Sequence, residues 1–131
     1  MRLLRIVALA LALAAFHCRE GTIELYNVPV PSQAAGAWRA ALACSHVAPA
    51  RGGTLTEVHW FGADLSQVHP ALWGAWLPPD TIVLDLRHLA DSVTIEHELL
   101  HHLLRGSVRG EAHPFVPFIV PCNVIAPQVG G

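Results

Sequence analysis

The stretch VTIEHELLHHLLRG, residues 93–106, decides how the rest of the chain is read. It holds His97, Glu98 and His101 in the order H-E-x-x-H, with His102 directly after. Asp91 or Ser92 can cap a helix here, and Gly106 stands where a glycine would end it. On a helix, residues four apart lie about 40° apart in azimuth and one turn apart along the axis. His97 and His101 then point the same way and can reach one metal ion. Glu98 is about 100° round from His97, beside such an ion rather than on it. From there it can take a proton from a metal-bound water, with zinc as Lewis acid and the carboxylate as general base. His102, about 140° from His97, faces elsewhere and is expected at the surface or behind a ligand. Leu99, Leu100, Leu103 and Leu104 supply the side that packs on a core.

A catalytic zinc site takes three protein ligands and keeps one open position. Downstream, RGEAHPF (109–115) offers His113 and Glu111. His113 precedes Pro114 in a segment able to fold back over the helix, and imidazole suits zinc, so His113 is preferred over Glu111. His88, between the preceding strand and the helix, is a weaker candidate for a ligand or a hydrogen-bond donor. The bland alternative is a histidine-rich surface helix that binds nothing.

The 131 residues allow one domain with one core. With 53% hydrophobic and 14% charged residues, the chain does not read as disordered. Part of the hydrophobicity lies in MRLLR followed by IVALALALAAF, which reads as a secretory signal over residues 1–17. That run is shorter than the roughly 20 apolar residues a membrane span needs. Ala12-Leu13-Ala14 offers a cleavage site. Cys18 also stands where a bacterial lipoprotein carries its lipid, although His17 makes a poor lipobox. Export is therefore expected, to the periplasm, the exterior or a membrane anchor, with residues 18–131 as the folded domain. There is no lysine and the arginines are scattered, so nucleic-acid binding is not expected. Cys44 and Cys122 remain as a pair. In an oxidising compartment they can close a loop worth about 3–4 kcal/mol in the chain-entropy model, the alternative being two separate buried thiols.

Elsewhere the patterning is coarser. TIELYNVPVP (22–31) reads as a short strand running into a turn. SQAAGAWRAALACSH (32–46) reads as a helix capped by Ser32, with Ala34, Trp38, Ala41 and Leu42 on one face. TLTEVHWFG (54–62) suggests a strand, 63–80 a long connection or irregular hairpin, and TIVLDL (81–86) the clearest strand. The proline-rich tail has no long helix.

HELLH with a downstream HPF resembles the zincin metallopeptidases, and looks most like small exported bacterial members of that superfamily. The resemblance covers chiefly residues 81–115. It implies an α+β fold with a short sheet and an active-site helix, one zinc, and hydrolysis of peptide bonds in a peptide or protein substrate. Residue by residue, His97 and His101 match the helix ligands, Glu98 the base and His113 the third ligand. The metzincin pattern departs at Leu104 and Ser107, where it would have a glycine and a histidine. No later helix supplies a gluzincin glutamate. The resemblance also implies that the strand before the motif pairs with an extended substrate, a role that falls on Thr81 to Leu86. Zincins stabilise the oxyanion with a Tyr, His or Arg. Tyr26 is remote in sequence, and Arg87, His88 and Arg109 stand as candidates. A rival expectation is an envelope protein that binds zinc without catalysis.

Overall fold

Ile82, Val83 and Leu84 are fully buried, and the strand they form is the centre of the molecule. The computed structural model describes residues 22–47, 53–104 and 122. Within them lie strand β1 (Tyr26–Asn27), helix α1 (Ala34–Ser45), β2 (His59–Ala63), β3 (Gly74–Leu77), β4 (Thr81–Asp85) and helix α2 (Ser92–Leu104). The strands make one mixed sheet in the order β1-β2-β4-β3. β2 and β4 are parallel, while β1 pairs antiparallel with β2 and β3 antiparallel with β4. The result is a small α+β domain of two helices and four strands.

A strand apolar on both faces must be covered on both. Ile82 and Leu84 pack with Ala34, Ala37, Trp60, Ile95 and Leu99 under the two helices. Val83 points the other way and packs with Ala63, Leu65 and the partly buried Ile23, Leu25 and Leu72. Each fully buried Leu or Ile contributes roughly 1.5–3 kcal/mol, so this strand anchors the sheet. The helices meet in a further cluster of Ala41, Leu100, Leu103, Leu104 and Cys122, with Trp38 and Leu42 half-buried against it. The apolar face expected of residues 32–46 is thus present, with Ala37 added to it.

Several expectations change. Helix α1 begins at Ala34, and Gln33 occupies the cap position without a side-chain cap bond. Ser32 spends its hydroxyl on Gln33 Oε1 at 3.1 Å, so it does not cap the helix. Residues 54–62 are a strand only from His59; Leu55–Glu57 form a 3-10 turn. Thr54 and Glu57 explain the turn, since the Thr54 N–H donates to Glu57 Oε2 at 3.2 Å in the reciprocal cap of a T-x-x-E sequence. In 63–80, the hairpin alternative holds for the last part: β3 pairs with β4 from Gly74↔Leu84 to Leu77↔Thr81. Asp91 caps α2, accepting from the Val93 N–H at 3.3 Å and from the Thr94 hydroxyl.

The most consequential change concerns β4. It lies between β2 and β3, so both of its edges carry ladder bonds and neither is open to a substrate strand. The edge strands are β1 and β3, and β3 is the one beside β4. Among the described residues, no helix is long and apolar enough to cross a membrane.

Candidate functional site

His97, Glu98 and His101 all lie on α2, which packs against α1, β3 and β4. The His97 and His101 rings are 5.0 Å apart between centroids with planes at 70°. They share one side of the helix, as a spacing of four dictates. His97 is 4% exposed and Glu98 5%, so two ionisable groups are buried on successive residues. Buried titratable groups are uncommon enough to mark a candidate site.

Glu98 packs against Gly74 of the edge strand β3. Its Cγ and Oε1 come so near Gly74 of β3 that a β-carbon there would stand 2.9 Å from each. Burial pushes the Glu98 carboxyl up to about 8, opposed by the backbone N–H of Trp76. A carboxyl kept near neutrality in this way is suited to exchange protons at physiological pH, as a general base requires. A neighbouring cation would favour its charged form.

The direction of the Trp76 N–H follows from the ladder. The Asp85 N–H donates to Trp73 O at 2.8 Å. In an antiparallel pair, bonded and non-bonded residue pairs alternate. Ala75 and Leu77 therefore turn their backbone groups toward β4, while Gly74 and Trp76 turn theirs to the outer edge. Trp76 also lays its ring parallel to His101, with planes at 2° and centroids 6.1 Å apart. Neither Gly74 nor Trp76 stood out in the sequence. A pattern search finds the helix motif but not the strand against it.

His102 is a correction in part: it is fully buried, not at the surface. Its Nε2 lies 2.8 Å from the Thr54 carbonyl oxygen, and its ring fills the space that the missing side chain of Gly53 leaves. The rotation away from His97 is as expected, but it turns His102 into the protein. Arg87 grips Asp85 through Nε at 2.7 Å and Nη2 at 3.2 Å. His88 stacks on Trp73 at 3.9 Å. Tyr26 is on β1, at the opposite edge of the sheet from β3, so it is distant from the motif in space as well as in sequence. His113, Glu111, Arg109, Cys18, Gly106 and the segment 1–17 lie outside the described residues. Among the described residues, no group of three His, Cys, Asp or Glu side chains is arranged to hold a metal ion.

The residues present fit zinc in kind. Two imidazoles one turn apart are borderline-soft donors of the sort zinc takes, and among the described residues no cation is paired with the buried carboxyl beside them. Cys44 and Cys122 lie at disulfide distance, with Cα atoms 5.1 Å apart. No family model, curated protein or solved structure matches the chain.

Proposed function

We propose that this chain is an exported zinc-dependent peptidase of the zincin type. The observation that carries the reading is the buried Glu98 carboxyl, held near neutrality beside two imidazoles that face the same way. A helix that merely displays histidines would leave them in water. Here His97 and His101 would hold the metal, with His113 preferred over Glu111 as third ligand. Zinc, when bound, supplies Lewis acidity and brings the pKa of water to about 7.

Glu98 takes the proton of the attacking water at its carboxylate and passes it to the leaving amine. Its burial matters for both transfers, because a carboxyl of ordinary acidity would accept a proton poorly at neutral pH. The substrate class follows from β3. Its outer edge offers the backbone groups of Gly74 and the carbonyl of Trp76 to an extended chain, the Trp76 N–H being taken up by Glu98, which supports a peptide substrate bound by strand addition. Export accords with the closeness of Cys44 and Cys122, since disulfides persist in oxidising compartments.

Two variants test the reading. Glu98→Gln preserves shape but cannot accept a proton, so zinc should stay near one per chain while peptide turnover falls about 10²-fold or more. His101→Ala should lose metal and turnover together. Zinc retained without any Glu98-dependent turnover would favour the non-catalytic zinc protein. No zinc in the purified wild type would end both readings.

A further inference from the structure

Trp76 touches the candidate site twice, by two different parts of the residue. Its indole lies parallel to the His101 imidazole, and its backbone N–H, turned to the outer edge of β3, acts on the Glu98 carboxyl. The indole Nε1 is buried and has no hydrogen-bond partner among the described residues. Buried indoles ordinarily satisfy that N–H. The ring is therefore not placed here by a hydrogen bond of its own, and its parallel contact with His101 is the specific relation it does make. Packing of Trp76 on the core beneath the helices holds it from the other side.

We propose that Trp76 is a positioning residue, its ring setting the plane of the His101 imidazole while its backbone N–H sets the Glu98 carboxylate. One residue then fixes the metal-binding group and the proton-accepting group relative to each other. The inference rests on His101 being a metal ligand. An imidazole donates a lone pair that lies in the ring plane, so an imidazole free to turn aims that pair poorly. A flat neighbour parallel to the ring restrains this turning, alongside the other interactions that His101 makes.

The backbone N–H survives any side-chain change at 76, so side-chain variants probe His101 alone. The test uses Trp76→Leu and Trp76→Phe, with cobalt(II) as a spectroscopic probe of metal binding. In metal-free wild type, the His101 ring-proton signal, assigned by its loss in His101→Gln, should be displaced by the indole ring current. Trp76→Leu should move it back. Cobalt affinity should fall about 10-fold or more in Trp76→Leu, the range typical for groups that orient a ligand. The flat ring of Trp76→Phe should restore it to within about threefold of wild type. Affinity unchanged in Trp76→Leu overturns the proposal and leaves the zinc reading standing. Equal losses in both variants overturn it too, because bulk rather than a flat ring would then matter. A wild type that binds no cobalt while its His101 signal is still displaced shows that the zinc reading itself failed, and the positioning role with it.

Discussion

Gly74 and Glu98 share a space with no room for one more carbon. A β-carbon at Gly74 would stand 2.9 Å from Cγ and Oε1 of Glu98 and 2.9 Å from Cγ2 of Thr94. Side-chain atoms essentially never approach that closely. The glycine is what lets the edge strand run directly over the carboxyl. Close approach, not backbone freedom, is its use here.

Gly74→Ala should therefore displace Glu98 or push β3 outward, while His97 and His101 keep their places on α2. A shift of about 1 Å in a reacting group can cost about 10²-fold in rate. Peptide turnover should fall by about 10-fold or more with zinc content unchanged. Wild-type turnover in Gly74→Ala would mean that the seat of Glu98 beneath β3 has no bearing on chemistry.

His102 provides a control on the same helix. It is fully buried and bonded to Thr54 O at 2.8 Å, with Trp38 6.2 Å away between ring centroids. His102→Ala removes a fully buried ring and leaves a cavity in its place, a cost of about 2–4 kcal/mol. Denaturant midpoints should show the loss, and zinc content should not. Zinc lost from His102→Ala while its fold is intact would place His102 among the ligands.

What was legible in the sequence divides along physical lines. The H-E-x-x-H spacing and the Asp91 cap are local, and both reach the folded helix nearly unchanged. The continuous apolar run Ile82-Val83-Leu84 announced a buried strand for the same reason. Which neighbours flank that strand is not local. Nothing in TIVLDL says that β3 will take its outer side, so the open edge expected at Thr81 to Leu86 is absent. GAWL, with a glycine and no alternation of polar residues, hid β3 inside a proline-rich connection. The burial of His102 depends on Gly53, which is distant in sequence from it. The T-x-x-E cap at Thr54 was there to be found, and its signal lost to the β-rich composition around it.

Cys44 and Cys122 should be one disulfide in protein taken from an oxidising compartment. With a sequence separation of 78, the chain-entropy model assigns about 4.5 kcal/mol to the bridge. Alkylation without reduction should leave both residues unlabelled, and reductant should lower the melting temperature of wild type but not of Cys44→Ser. Free thiols at both positions would remove the link between α1 and Cys122.

The pH dependence of stability should carry the mark of Glu98. In the folded protein burial raises its pKa from the usual 4.5 to about 8. Between those values the folded chain keeps a proton that the unfolded chain has released. Stability falls with rising pH wherever the folded state binds more protons. The contribution of Glu98 is therefore fully present below about pH 4.5 and is lost as pH climbs through about 8. Its slope can reach at most about 1.4 kcal/mol per pH unit. Glu98→Gln cannot titrate, so the difference between wild-type and variant unfolding free energies, measured on metal-free protein from pH 4.5 to 8.5, isolates this one group. The variant should gain on wild type as pH rises. Adding zinc should reverse part of that gain, since a cation beside Glu98 favours the carboxylate and lowers its folded pKa. Parallel curves for the two metal-free proteins would show that Glu98 is ionised in the fold, and that the buried proton acceptor proposed here does not exist.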